Sequence, residues 1–129
     1  MINKFKVKIV GILFNPSTRR ILVGRNKGEK HLSFLEGDLK YDEELDRGLK
    51  RVTKEKTGYI IHNLGAVYAR NKLKEKDVLQ IYFLCEATEG KEKPSKKVAE
   101  MRWIKPSEVE KQLNEKLPTR LKEYILNLG

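Results

Sequence analysis

The segment Gly37–Gly58, GDLKYDEELDRGLKRVTKEKTG, decides the fold. Leu45, Leu49 and Val52 recur at helical spacing and predict one amphipathic helix with these three on its core face. Asp42 stands where a side chain can cap that helix, which is expected to run to about Lys56. Gly58 follows at the place where a helix leaves in the left-handed conformation. Gly37 is expected to let the chain turn tightly ahead of the helix.

The spacing of Gly37, Glu43, Arg51, Glu55 and Gly58 resembles the Nudix box, the signature of enzymes that cleave a diphosphate linked to another group. The family pattern is Gly, five residues, Glu, seven residues, Arg-Glu, an aliphatic residue, any residue, Glu-Glu, any residue, Gly. In this chain Val52 stands at the first helix Glu, Thr53 at the aliphatic place, and Glu55-Lys56 at the Glu-Glu pair. The resemblance extends along most of the chain. Ile21–Arg25 is similar to the family's aliphatic strand ending in Arg. Phe34–Gly37 stands where relatives carry an apolar residue and Pro-Gly-Gly, and Glu100–Ile104 with Pro106 and Glu108 is similar to the C-terminal Glu, Trp and helix start.

The resemblance implies an α/β fold, a Nudix-type α/β/α sandwich with a mixed sheet, one box helix and C-terminal helices, as a single domain over residues 1–129. It implies magnesium- or manganese-dependent hydrolysis of nucleoside diphosphates linked to another moiety. Carboxylates on one helix face gather the ion, which neutralises phosphoryl charge and aims a water. Carried over by position, Glu55, Glu43 and Arg51 are the catalytic candidates. Glu55 and Gly37 fall at the metal site, Arg25 and Lys56 at ligand-binding places, and Gly37 and Gly58 in the motif frame. Val52 cannot coordinate a metal and Lys56 sets a positive charge where one would sit, so hydrolysis is expected to be impaired. Nearby acids at Glu36, Asp38, Glu44, Glu86 and Glu89 are the candidates for a rebuilt site. The alternatives are a catalytically silent domain that binds a nucleotide or nucleotide-derived molecule without a cofactor, and a nucleic-acid or ribonucleoprotein partner. A homodimer is open.

The charge pattern bears on those alternatives. The net charge is +10, with the basic excess at both ends of the chain. Such a field attracts nucleotide and nucleic-acid phosphates alike, and it also fits a Lys-rich solvated surface. No apolar run is long enough to span a bilayer, and the N-terminal residues alternate charge with apolar groups, unlike a signal peptide. The lone Cys85, in an apolar run, is expected in the core of a cytoplasmic protein. His31 and His62 lack spaced partners for zinc. Trp103 and Tyr68 could stack on a base, with core packing the simpler role for Trp103.

Outward from the box, Phe5, Val7 and Ile9 alternate with lysines and predict a strand continuing to Phe14. A turn at Asn15–Thr18 then leads to a second strand at Ile21–Val23, making a hairpin. Tyr59–Ala69 reads as a strand bulged near Gly65, Val78–Ala87 as a central strand, and Ala99–Ile104 as the last. Asn26–Lys30, Asn71–Asp77 and Thr88–Lys97 read as loops that would set specificity. Ser107 with Glu110 predicts a capping box, and Pro118 the start of a final helix bearing Leu121, Tyr124, Ile125 and Leu128 on one face.

Overall fold

The structure, a computed structural model, describes residues 6–71 and 77–129. Phe5 and most of the Asn71–Asp77 loop therefore lie outside the described residues. The elements are β1 (Lys6–Asn15), β2 (Arg20–Asn26), β3 (Leu35–Asp38), α1 (Leu45–Thr57), β4 (Tyr59–Asn71), β5 (Val78–Gly90), β6 (Val98–Ile104), a 3-10 turn (Pro106–Glu108), α2 (Val109–Leu113) and α3 (Thr119–Leu126). The strands form one mixed six-stranded sheet in the order β4-β5-β1-β2-β6, with β3 also paired to β1. β1 runs parallel to β5 and antiparallel to both β2 and β3.

The alternation of β1 divides the core into two layers. Ile9 and Leu13 point to one face, where they join Leu22, Leu35, Leu49, Phe83 and Cys85 under α1. Val10 and Ile12 point to the other, against Ile21, Val23, Tyr82, Leu121 and Ile125 under α2 and α3. The result is the expected α/β/α sandwich. Each fully buried Leu, Ile or Val contributes about 1.5–3 kcal/mol of transfer free energy. Cys85 lies within the α1 layer, fully buried, and burial pushes its thiol up to about 12.

The hairpin of β1 and β2 forms as expected, in the register Leu13↔Leu22. Asn15 organises its turn: its Oδ1 accepts the Ser17 N–H at 2.9 Å. β4 carries its register shift between Asn63 and Gly65, the expected bulge. β5 lies inside the sheet between β4 and β1, while β1 is the strand with three partners. β5 continues to Gly90, so Thr88–Gly90 belongs to a strand rather than to the loop expected there.

Four local expectations need correction. The N-cap of α1 is Glu44 rather than Asp42, and no side chain caps it. Leu45 is 40% exposed, because the buried stripe of α1 is Gly48, Leu49, Val52, Thr53 and Thr57, one position round from the expected face. Gly37 makes no tight turn: it lies in β3 opposite Ile9. Its lack of a side chain instead lets α1 approach, since a Cβ there would fall 2.6 Å from Val52 Cγ2. Glu110 caps nothing at its own helix start; its Oε2 accepts the Leu117 N–H at 2.8 Å, and Glu108 Oε1 accepts the Lys105 N–H at 3.0 Å.

Thr53 and Thr57 place hydroxyls in the apolar layer without penalty. Each donates to the carbonyl one turn back, Thr53 Oγ1 to Leu49 O and Thr57 Oγ1 to Thr53 O, both at 2.6 Å. The Thr53 methyl then does the work of an aliphatic side chain against Gly11, where a Cβ would lie 3.2 Å away. No helix among the described residues is long and apolar enough to cross a membrane.

Candidate functional site

The loop before α1 is held by one bidentate ion pair. Arg51 Nε donates to Glu43 Oε2 at 2.7 Å and Arg51 Nη2 to Glu43 Oε1 at 2.8 Å. Arg51 Nη2 also donates to the Asp38 carbonyl at 2.8 Å, and the Lys40 N–H donates to Glu43 Oε1. β3, the loop and α1 are thereby locked at the side chain of Arg51. The guanidinium beside Glu43 lowers its carboxyl to about 2. A depressed carboxylate contributes stability above its unfolded value near 4.5 and loses it as pH falls through about 2. Glu43→Gln is thus expected to flatten the acid limb between those values while leaving the alkaline limb unchanged, as read by urea midpoints across pH. An unchanged acid limb would mean the pair does not hold the loop.

Beside this frame opens a cleft of about 1010 Å³ between β3, the end of α1, the Asn26–Lys30 loop and Ser95–Lys97. It collects five lysines, Lys8, Lys27, Lys56, Lys96 and Lys97, and four carboxylates, Glu29, Glu36, Asp38 and Glu55. Lys8 Nζ lies 3.7 Å from both Glu36 and Asp38. Lys56, on the box helix, is half-buried. Loss of hydration lowers its pKa, against the pull of the Glu36, Glu29 and Asp38 carboxylates. Its ammonium thus stands in a cleft of mixed charge, at the place where the family pattern would put a carboxylate.

The sequence candidates are distributed as follows. Gly37, Glu55 and Lys56 line the cleft, as do Glu36 and Asp38. Glu55 is exposed, with one oxygen 3.4 Å from Arg51 Nη1. Val52 is buried against Gly37 and turned from solvent. Arg25 is not part of the lining: its Nε donates to Glu100 Oε1 at 3.1 Å and its Nη1 to the Glu29 carbonyl at 3.2 Å. It ties the Asn26–Lys30 loop to β6. Arg25, first, and Arg102 together hold the Glu100 carboxyl below its usual range. Glu44, Glu86 and Glu89 stand outside the lining. Tyr68 and Trp103 pack edge-on against Tyr82 and Tyr59, at 6.0 and 6.3 Å.

Sequence reasoning did not single out Lys8, Lys27, Lys96 or Lys97. Lys8 falls among the lysines that alternate with Val7 and Ile9 along β1, but its neighbours in the cleft are distant in sequence. Gln80 was also missed. It is buried at 3% exposure, and its Oε1 accepts from Arg70 Nε and Tyr82 Oη, both at 2.9 Å. That orients its Nε2 toward Glu36, 3.4 Å away.

Magnesium of the family type can be tested against this donor set. The α1 face offers a hydrocarbon at Val52, one carboxylate at Glu55 and an ammonium at Lys56. Among the described residues, no group of three His, Cys, Asp or Glu side chains is placed to hold a metal. Hard cations need several oxygens and tolerate no ammonium among them. The residues present do not fit that ion.

The fold agrees with the comparisons. The structure of a Nudix hydrolase from Nitrosomonas europaea superposes with a TM-score of 0.81 at 15% identity, over 97% of this chain and 72% of that one. The MutT protein of Methanosarcina mazei Go1 gives 0.75 at 19% identity, over 99% and 95%. An ADP-ribose pyrophosphatase from Streptococcus suis gives 0.71 at 17% identity, over 95% and 87%. No curated protein matches the chain in sequence. The family model for the NUDIX domain matches residues 4–128, and the chain belongs to that family.

Proposed function

We propose that the cleft binds a nucleotide-derived diphosphate, with Lys56 serving as a tethered cation in place of the family's helix-bound metal. Magnesium-dependent hydrolysis is impaired in this reading. The observation that carries it is the position of Lys56: half-buried, partly dehydrated and facing the cleft from the box helix. A dehydrated ammonium interacts with a phosphate more strongly than a solvated one, and its cost of burial is already met by the fold. Lys8, Lys27, Lys96 and Lys97 supply the surrounding field, while Arg25 and Arg51 hold the walls. Glu55 remains as the single box-helix carboxylate at the rim.

The test is calorimetry with ADP-ribose, the compound named for the Streptococcus suis relative, in chelator and again with magnesium. Saturable binding of similar affinity in both, with no nucleotide product released in magnesium or manganese, is the expected outcome. Magnesium-dependent release of a mononucleotide, lost in Glu55→Gln, would overturn the reading.

A further inference from the structure

Four adjacent strands set one polar row across the sheet. Arg70 of β4 lies opposite Gln80 of β5, Gln80 beside Lys8 of β1, and Lys8 opposite Asp38 of β3. In the next row Tyr82, Val10 and Glu36 stand side by side. Alternation puts both rows on the face where Val10 and Tyr82 pack.

Gln80 is 3% exposed, so its amide depends on protein partners. They force its orientation. Arg70 Nε donates at 2.9 Å, and a guanidinium accepts nothing, so the amide oxygen faces Arg70. Tyr82 Oη donates to the same oxygen at 2.9 Å, and burial pushes its phenol up to about 12, which keeps that proton in place. The amide nitrogen is left to donate to Glu36 Oε2, 3.4 Å away. Arg70 is itself held: its Nη2 donates to Tyr82 Oη at 3.2 Å and lies 3.5 Å from Glu115 Oε1.

The carboxylate at the end of this chain of bonds lines the cleft. Gln80 holds its Oε2, and Lys8 Nζ lies 3.7 Å from its Oε1, so each oxygen is anchored once. An ionised carboxylate accepts about four hydrogen bonds, which leaves capacity for a ligand.

We propose that Gln80 is a positioning residue for the cleft, fixing the Glu36 carboxylate as the acceptor for a neutral hydrogen-bond donor of the ligand, a hydroxyl or an amino group. The proposal rests on the reading of that cleft as a site for a nucleotide-derived diphosphate. The ionised phosphates bring no donor and are repelled by Glu36, so the group that meets it belongs to a sugar or the base.

The experiment is calorimetry of ADP-ribose and of ADP, without metal, on the wild type, Glu36→Ala, Gln80→Met and the double variant. The Gln80 side-chain amide is followed by NMR in ligand-free wild type and Glu36→Ala. The sign of the change separates the roles. A carboxylate that is merely a charge on the wall repels an anionic ligand, so its removal would tighten binding, whereas removal of an acceptor weakens it. Glu36→Ala is expected to lose about 10- to 100-fold in ADP-ribose affinity, the worth of a charge-assisted hydrogen bond. Gln80→Met is expected to lose roughly fivefold, and the double variant no more than Glu36→Ala, because Gln80 acts through Glu36. A loss kept with ADP assigns the donor to the nucleoside; a loss confined to ADP-ribose assigns it to the terminal sugar. The Gln80 amide resonance should move in Glu36→Ala. Unchanged or tighter ADP-ribose binding in Glu36→Ala, additive losses in the double variant, or an unmoved amide would overturn the proposal. The first and last of these need no variant at the buried position, should Gln80→Met fail to fold. Binding of neither compound by the wild type, with the amide shift present, would sink the reading of the cleft and keep the Gln80–Glu36 link.

Discussion

Replacing Gly58 by alanine is expected to lower folding stability by about 2–5 kcal/mol. Two costs combine. Gly58 ends α1 at φ 85°, in the left-handed region, where a side chain costs about 1–2 kcal/mol. A Cβ would also meet the carbonyl of Lys91 and stand 2.8 Å from the Lys93 nitrogen, both backbone atoms. Backbone cannot rotate away as a side-chain tip can, and the Lys93 N–H is already committed to the Thr57 carbonyl. Relief requires lifting the Lys91–Ser95 segment, which clamps onto the last turn of α1 through the Lys93 and Ser95 N–H groups, so about 1–3 kcal/mol of overpacking is added. Denaturant unfolding measures the loss. A change under about 1 kcal/mol would show that the clamp yields freely.

Lys56→Met is expected to weaken ADP-ribose binding by about 10- to 100-fold, the worth of a charge-assisted hydrogen bond of roughly 1.5–3 kcal/mol. Stability should move the other way or stay level. A lysine whose pKa is lowered by burial is penalised while charged; the penalty is present at neutral pH and is relieved as pH rises through the lowered value toward 10.5. Methionine carries no such penalty. The same sign governs ligand binding: wild-type affinity should fall as pH approaches the lowered value, and Lys56→Met should lack that fall. Calorimetry with ADP-ribose, paired with thermal midpoints, tests both. Weaker binding with a lower midpoint would mean Lys56 is structural; unchanged binding would remove it from the site.

Much of the fold was legible because its signals are local. The β1 alternation, the Asn15 turn, the helical spacing of Leu49 and Val52 and the Gly58 terminus all depend on neighbours within a few residues. The box spacing added the family and with it the sandwich. The misreadings fall where a local signal had competitors. Asp42 looked like a cap because its residue type suits one, yet the chain enters α1 extended through Glu44, with φ −71° and ψ 149°. Gly37 looked like a turn because glycine permits one, whereas its use is the close approach of Val52.

By itself, the sequence determined the order of the elements other than β3, the box frame of Glu43 and Arg51, and the loss of two carboxylates from the family pattern. Each follows from residue identity and spacing along one chain. Only the tertiary structure decided what Val52 and Lys56 do in their new places. Val52 fills the gap that Gly37 leaves, and Lys56 lines a cleft that also holds Glu29, Glu36 and Asp38. It also decided that Lys8, Lys27, Lys96 and Lys97 share one cleft, and that Lys91 and Lys93 are carried on a clamp. The reason is physical: charge and burial act through space, and the groups that set them meet only when β1, β3, α1 and the Lys91–Lys97 segment are packed together.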